Sequence, residues 1–369
     1  MYIVIFVSII ALLFTVMESR GKMQGGMKKG FYLLTILACI HYNYGNDYPG
    51  YYQLYNEISQ IPFDLGSILN GDVYNEPGWV LINYLFKYLG GFFSLVAVLN
   101  ILQNIIFYCF IRDNVNKEWW WLAMIVYVFK TSFYVMNFSM MRQGLAIAIF
   151  VACWTLIKTP SLKRNAIAAV IMFLASFVHH SAIILVPFCF WSFLPVKNGK
   201  IWATIYISLF LLMYLSRDVL DTILTPLLST DVAEMYLDKY SQSQEKNLTV
   251  GFGFVLLLIP FIVSLVYLFK KDADNISKSL VMLGAIGTMI GPISLVVPIA
   301  GRLGSYFMAF TIATCPITYT SISSVPIKKL LIGLFLLVTL YDYYYFFFVD
   351  ITWAEHYREF HTIFEVLFS

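Results

Sequence analysis

Residues 92–111 read FFSLVAVLNILQNIIFYCFI, a run of 20 residues without a charged side chain. A helix of about 20 mostly apolar residues is long enough to cross the hydrocarbon core of a bilayer. Further apolar runs, separated by polar gaps, occur at 2–17, 30–43, 119–136, 141–157, 165–178, 181–196, 201–217, 251–269, 279–297, 303–323 and 330–349. The pattern predicts an all-α, polytopic integral membrane protein with about twelve transmembrane helices.

The composition leaves little material for a soluble surface. Of the 369 residues, 60% are hydrophobic and only 12% are charged, whereas a soluble domain usually carries about 25% charged residues. No linker rich in Gly, Ser or Pro divides the chain, so we expect one membrane domain over residues 1–369. Gly284, Gly287 and Gly291 on one predicted helix indicate close helix packing.

The distribution of charge predicts which loops lie on each side of the membrane. Short loops rich in Lys and Arg stay in the cytoplasm, and such gaps occur at 18–30, 158–164, 197–200, 270–278 and 326–329. Segment 41–78 contains five Asp or Glu residues and no Lys or Arg, so we expect it outside. The long loop 217–250 is assigned to the same side. The first helix is expected to be retained, with its N-terminus outside.

Two further segments are predicted to lie at the membrane surface. Residues 77–90 are amphipathic, which favours an interfacial or re-entrant helix at the end of an outer region, 41–91. The tail 353–368 mixes charged and aromatic residues and is also interpreted as an interfacial helix.

The first candidate site is the sequence Gly45-Asn46-Asp47-Tyr48, followed by Tyr52, at the start of the acidic outer segment. A carboxylate accepts hydrogen bonds from sugar hydroxyls, and aromatic faces cover the C–H patches of sugar rings. The alternative is a polar turn beside an aromatic interface belt.

Two arginines at helix starts form the next candidates. Arg142-Gln143 opens the helix 141–157, and Arg302, followed by Tyr306, opens a late helix. Arg142 has no acidic neighbour on its own helix, which predicts a cation that seeks an external anion. The planar donor fork of arginine suits phosphate. The alternative is a side chain that merely extends to the interface.

His179 and His180 lie between two apolar segments. A histidine can donate to phosphate or move a proton, and the alternative is a structural histidine. The topology places all these candidates on the outer face, which suits a lipid-anchored pyrophosphate whose polar part lies outside. No acidic cluster with metal-ligand spacing lies there, so we expect no metal. Asp272 and Asp274 form a DxD in a basic cytoplasmic gap and are interpreted as a solvated loop.

Taken in order, these motifs resemble the Wzy/EpsG family of bacterial polysaccharide polymerases, which make O-antigen or exopolysaccharide. The motifs that carry the resemblance are Gly45, Asp47, Tyr48, Tyr52 and Tyr55; Glu76-Pro77-Gly78; Arg142-Gln143; His180-Ser181-Ala182; and Arg302, Tyr306 and Phe307. The family often has an arginine shortly before the first glycine, where this chain has His41 to Tyr44.

The resemblance implies a fold like that of integral-membrane (GT-C-like) glycosyltransferases and ligases, in the bacterial cytoplasmic (inner) membrane. It implies an inverting, metal-independent transfer at the periplasmic or extracellular face, without a cofactor. The donor would be a glycan on undecaprenyl pyrophosphate, and the acceptor would be a lipid-linked repeat unit. A chain-length regulator and a flippase of the same pathway are candidate partners, and nucleic acid is not.

On this resemblance, Arg142 and Arg302 would meet the charge of the leaving pyrophosphate. His180 would donate to phosphate or act on the acceptor hydroxyl, and Asp47 would orient or deprotonate that hydroxyl; these two roles could be exchanged. The predicted substrate-binding residues are Tyr48, Tyr52, Gln143, His179 and Tyr306.

Three other functions compete with this interpretation. A flippase or transporter of lipid-linked oligosaccharides would line a path through the bilayer with charges at mid-depth, whereas these charges cluster at one face. A membrane O-acyltransferase would receive its substrate from the cytoplasm, away from His180. A non-catalytic scaffold would not need unpaired arginines beside glycine.

Overall fold

A computed structural model describes residues 1–196, 198–216, 252–293 and 298–367. The predicted outer loop 217–250 and residue 197, in a gap predicted to be cytoplasmic, lie outside these ranges. Contacts divide the chain into two compact units: 1–194, 315–317 and 336–369 form the first, and 195–314 and 318–335 form the second. The single membrane domain expected over 1–369 stays a prediction.

The first unit begins with helices α1 (Tyr2–Ser19) and α2 (Gly26–Ile40), followed by strand β1 (His41–Tyr42). Segment 41–91, which is predicted to lie outside and is called the outer segment for that reason, then forms α3 (Tyr48–Gln60), α4 (Leu65–Asn70) and α5 (Pro77–Tyr88). Next come α6 (Gly91–Asn114), α7 (Trp120–Phe129), α8 (Met141–Ile157) and α9 (Leu162–Ser176). Two 3₁₀ segments follow at His180–Leu185 and Pro187–Phe193.

The remaining helices are α10 (Gly199–Leu215), α11 (Phe252–Leu268), α12 (Asn275–Ile293), α13 (Pro298–Met308), α14 (Thr311–Thr320) and α15 (Val325–Phe348). The chain ends with α16 (Ile351–Ala354), strand β2 (His361–Thr362) and α17 (Ile363–Leu367). In the second unit, a Cβ atom added to Gly287 would lie 2.4 Å from the backbone N of Met308 on α13. The close packing expected at this glycine is therefore confirmed.

The structure bears out a predominantly helical membrane protein. Helical segments occupy the predicted apolar runs within the described residues. Among those residues, α1, α6 and α15 are long and apolar enough to cross a membrane on their own. Helices α8 and α10 are apolar but shorter, and α11 and α12 each include a shorter apolar stretch. The figure of about twelve spans and the GT-C-like fold stay predictions. The run 181–196 differs from expectation because it forms 3₁₀ turns, and 303–323 is interrupted between α13 and α14.

The outer segment has more helix than the sequence indicated. Asp64 caps α4, because its carboxylate accepts hydrogen bonds from the backbone N–H groups of Gly66 and Ser67. Helix α5 is confirmed and buries Trp79 and Val80 on one face. Its interfacial position stays a prediction.

The predicted interfacial helix over 353–368 is wrong. Strand β2 instead pairs antiparallel with β1, with His41 opposite Thr362 and Tyr42 opposite His361. The tail turns back because Tyr357 is fully buried, where its ring packs on Tyr44 with centroids 4.9 Å apart. In the part of the chain that the structure describes, this two-stranded pairing is the exception to the all-α prediction.

Candidate functional site

Arg142 lies in the first turn of α8, and its side chain is 21% exposed. Its Nε donates to the hydroxyl of Tyr51 at 3.3 Å, and its Nη1 donates to the hydroxyl of Tyr74 at 2.7 Å and to Oε2 of Glu76. The guanidinium carbon also lies 5.3 Å and 5.2 Å from the ring centroids of Tyr51 and Tyr74. These contacts fix the plane of the guanidinium, because two of its three nitrogens, Nε and Nη1, donate hydrogen bonds to fixed partners.

The expectation that Arg142 lacks an acidic partner is wrong. Its partner is Glu76, which lies 66 residues earlier in the sequence and arrives from the outer segment. Helical spacing around Arg142 could not reveal this pair, because the two residues belong to separate elements. Within the described residues, Nη2 of Arg142 has no hydrogen-bond partner. The guanidinium is thus neutralised and oriented, and it keeps one donor group for a further anion.

Glu76 connects Arg142 to the histidine pair. It lies directly before α5, and its side chain is 7% exposed. Its Oε1 lies 3.1 Å from Nδ1 of His179 and accepts a hydrogen bond from the backbone N–H of His180, also at 3.1 Å. Burial raises the pKa of Glu76, but the hydrogen bond from His179 and the positive charge of Arg142 outweigh burial and hold that pKa below its ordinary value. Glu76 therefore carries a negative charge at neutral pH.

The start of α5 is held against the end of α9, which brings Glu76 to the histidines. The backbone N–H of Gly78 donates to the carbonyl of Phe177 at 2.8 Å, and a Cβ atom on Gly78 would lie 2.8 Å from the backbone of Phe177. The ring of His180 is exposed, and its Nε2 contacts the carbonyl oxygen of Asn75. Both histidines therefore contact the same short segment, Asn75–Glu76.

The loop that carries Asp47 packs against the residues before α8. The backbone N–H of Asp47 donates to the hydroxyl of Ser139 at 3.0 Å, and that hydroxyl donates to Oδ1 of Asn46 at 2.6 Å. Gly45 has a φ of 107°, and a Cβ atom there would lie 2.8 Å from Cβ of Ser139. Since Ser139 precedes Arg142 by three residues, two motifs that are far apart in the sequence meet at one place.

The two tyrosines that follow the same loop, Tyr48 and Tyr52, pack on other aromatic rings. Tyr48 is 1% exposed, and its ring packs edge-to-face on His41 and Phe92. Tyr52 is half-buried and packs on Phe92 and Phe93. The roles of Tyr48 and Tyr52 as substrate contacts stay predictions.

A polar cleft of about 410 Å³ opens beside this loop, between it and the C-terminal tail. The tail is tied to the loop by a hydrogen bond from the backbone N–H of Gly45 to the carbonyl of His356, at 3.1 Å. The cleft is lined by Asn43, Gly45, Pro49, Glu355, His356, Arg358, Glu359 and His361. No local pattern in the sequence links the tail to the first motif.

A model of the EpsG family matches residues 30–358, a range that contains the acidic loop, Glu76, Arg142 and the histidine pair. The chain belongs to the EpsG family. The resemblance inferred from the sequence is therefore confirmed, and membership in the EpsG family indicates a polysaccharide-polymerase type of role for this membrane protein. No match was found among curated proteins or among solved structures.

Three other predicted site residues of this EpsG-family chain, Gln143, Arg302 and Tyr306, lie on two different helices. Gln143 is 4% exposed and lies beside Arg142 on α8. Arg302 and Tyr306 lie on α13 in the second unit, where Tyr306 is 1% exposed. Their association with Arg142 stays a prediction, as do the roles assigned to all three.

Metal ligands are not grouped in the part of the chain that the structure describes: no three His, Cys, Asp or Glu side chains there have the arrangement to hold an ion. Asp274 instead accepts a hydrogen bond from the backbone N–H of Ser277, 2.9 Å away at the start of α12. The metal independence of the reaction stays a prediction.

Sequence reasoning missed three contributors to the site. Glu76 was recognised only as part of a motif, and Tyr74 and Ser139 were not singled out. A usable signal existed for Glu76: it is an acid beside Pro77 in a segment without Lys or Arg, while Arg142 is a lone cation expected on the same side. Pairing the two would have required only the assumption that a buried cation needs a partner.

Proposed function

We propose that this EpsG-family chain is a polysaccharide polymerase that transfers a growing glycan from undecaprenyl pyrophosphate onto a lipid-linked repeat unit. The reaction takes place at the outer face of the bacterial cytoplasmic membrane. The observation that carries the proposal is the guanidinium of Arg142, which is fixed by Glu76, Tyr51 and Tyr74 and retains Nη2 for an anion.

The chemistry of this transfer depends on the leaving group. The acceptor hydroxyl attacks the anomeric carbon of the donor glycan, and the bond from that carbon to the pyrophosphate oxygen breaks, which inverts the anomeric configuration. Negative charge develops on the pyrophosphate as this bond breaks. A preorganised cation in a site shielded from water stabilises such charge without reorganisation, and Arg142 has the fixed geometry for this role. Arg302 is proposed as a second cation at the same step.

The remaining predicted residues act on the acceptor and the sugars. Asp47, His179 and His180 are the groups that can orient the acceptor hydroxyl or take up its proton, and Tyr52 offers an aromatic face to a sugar ring. Because the charge of the leaving group is met by arginine, the reaction is proposed to need no metal ion.

The test is the surface glycan of a strain in which the gene is deleted. Loss of a polymerase leaves single repeat units on the carrier or final acceptor, whereas loss of a flippase leaves none outside. Loss of an O-acyltransferase leaves a full ladder of repeat lengths that lacks acyl groups. Single repeat units that return to a ladder upon complementation support the proposal, and either of the other two patterns contradicts it.

A further inference from the structure

The geometry points to His179 as the general base of the transfer and to Glu76 as the residue that positions it; this inference rests on the proposed polymerase function. The two side chains form a carboxylate–imidazole pair, with Nδ1 of His179 3.1 Å from Oε1 of Glu76. The pair lies within the cluster that holds Arg142, which is bound by the other oxygen of the same carboxylate.

The partner on Nδ1 determines which nitrogen of His179 can accept a proton. An ionised carboxylate only accepts hydrogen bonds, so Nδ1 carries the hydrogen in this contact. In the neutral imidazole, Nε2 then bears the lone pair. The side chain of His179 is 19% exposed, and Nε2 has no hydrogen-bond partner among the described residues. This nitrogen is therefore open to a substrate hydroxyl.

His180 is a weaker candidate for the base. Its Nε2 contacts the carbonyl of Asn75, which can only accept, so Nε2 is the protonated nitrogen there. A carbonyl is uncharged, whereas the carboxylate of Glu76 stabilises the imidazolium that forms when His179 takes a proton. The backbone N–H of His180, rather than its ring, is what contacts Glu76. Its contribution is to help fix the carboxylate.

The shared carboxylate couples the base to the anion site. In the proposed step, the acceptor O–H bond breaks and its proton moves to Nε2 of His179. The acceptor oxygen forms a bond to the anomeric carbon, and the electron pair of the broken carbon–oxygen bond leaves with the lipid pyrophosphate beside Arg142. Glu76 remains ionised throughout, as the carboxylate does in a serine-hydrolase triad.

The experiment is a pH profile of polymerisation by the full-length protein in lipid vesicles, with lipid-linked repeat units as substrate and chain extension as readout. Only the neutral imidazole accepts a proton, so the wild-type rate falls at acid pH. His179→Ala is expected to lower the rate by about 10²–10⁴-fold, the usual contribution of general base catalysis. The residual rate should lose the acid limb and rise when imidazole is added to the buffer.

His180→Ala is the comparison that decides between the two histidines, since it removes the adjacent ring and leaves the contact of His179 with the carboxylate in place. It should retain the acid limb and show no response to imidazole. The opposite assignment, in which His180→Ala removes the limb and His179→Ala retains it, overturns the proposal. A folded His179→Ala protein, judged by its unfolding temperature, that keeps the wild-type rate or gains nothing from imidazole overturns it as well.

Glu76→Gln tests the positioning role. The amide still accepts from Nδ1 but lacks the charge that stabilises the imidazolium, so the acid limb should move to lower pH as the maximal rate falls. An unchanged limb contradicts the role of Glu76. Among the described residues, the charged or titratable groups around His179 are Glu76, which contacts it directly, and Arg142 and His180, which contact Glu76. Tyr51 and Tyr74 lie one step further away, since they are bound to Arg142.

The two proposals fail in different ways. If the polymerase function is wrong, wild-type vesicles extend no chains, and the deletion strain shows either no repeat units outside or a full ladder. If only the base assignment is wrong, wild-type vesicles extend chains and the His179 variant follows the wild-type pH profile.

Discussion

The pair formed by Arg142 and Glu76 can be tested by removing each partner alone and then both. Arg142→Met leaves a carboxylate that is 7% exposed without its guanidinium. Breaking a buried ion pair by deleting one partner typically costs about 3–5 kcal/mol. We expect a value near the lower end, because His179 and the backbone N–H of His180 still contact the other oxygen of Glu76.

The double variant separates stability from activity. Arg142→Met combined with Glu76→Gln removes both charges and keeps similar side-chain volumes, so most of the lost stability should return. Activity should not return, since the donor to the leaving pyrophosphate is gone. Loss of one such contact in the transition state lowers the rate by about 10²–10³-fold.

Arg142→Lys examines the fork geometry rather than the charge. A lysine has a single nitrogen, which can contact Glu76 but cannot also reproduce the bonds that Nε and Nη1 make to Tyr51 and Tyr74 at 3.3 Å and 2.7 Å. Each hydrogen bond from a charged group is worth about 1.5–3 kcal/mol. The lysine variant should therefore accumulate better than the methionine variant but remain defective in transfer.

The assay is glycan ladder length in the deletion strain, complemented with each variant at matched membrane abundance, together with unfolding temperature in detergent. Arg112→Lys is the control, because Arg112 is 46% exposed and, within the described ranges, its charged group is bound to its neighbour Asp113 and lies over the ring of Tyr108. A full ladder from Arg142→Met, or from the double variant, would refute the catalytic role. A full ladder from Arg142→Lys would show that charge alone suffices.

Three other predictions concern the loop, the metal and the topology. Gly45→Ala should destabilise the protein by about 1–3 kcal/mol in detergent unfolding, because the φ of Gly45 is 107° and the new Cβ would meet Ser139. Gly50→Ala is the control and should not destabilise it, because a Cβ there has no atom within 4 Å. Equal unfolding temperatures for the two variants would contradict this prediction. Chain extension in vesicles should persist in EDTA, and activity that returns only with magnesium or manganese would argue against the mechanism. A cysteine introduced within 41–78 should react with an impermeant maleimide from outside, and labelling only from the cytoplasm would contradict the proposed face.

The sequence predicted most of the helices because apolar length is a local property. The segments α1, α2, α6 and α8 each fall within a few residues of an uninterrupted apolar run. The order of motifs was equally accessible, and it was sufficient to identify the family. The charge pattern also predicted that Asp47, Arg142 and His180 lie on one face of the membrane, which stays a prediction. The structure brings their segments together in the first unit through Ser139 and Glu76.

The remaining features depend on contacts between distant segments, which apolar periodicity does not report. The tail 353–368 has an amphipathic composition, and only its pairing with β1 and the burial of Tyr357 determine that it folds back. Glu76 was underestimated for a related reason. From the sequence alone, an acid in a polar loop is expected to be solvated. The packing of α5 against the end of α9 instead buries Glu76 beside Arg142.

The charges at the site suggest why the proposed mechanism uses a carboxylate between its base and its cation. At rest, the opposite charges of Arg142 and Glu76 cancel, so the pair has little net charge. When the acceptor proton reaches His179, the cluster gains one positive charge as the leaving pyrophosphate gains one negative charge. The attraction between the cluster and the leaving pyrophosphate is therefore greatest in the transition state. Only an interaction that is stronger in the transition state than in the ground state accelerates the chemical step. Glu76→Gln should leave a net positive site at rest, bind the anionic donor more tightly and lower both KM and kcat. A variant with raised KM and wild-type kcat would contradict this account, because it would mean that Glu76 serves binding alone.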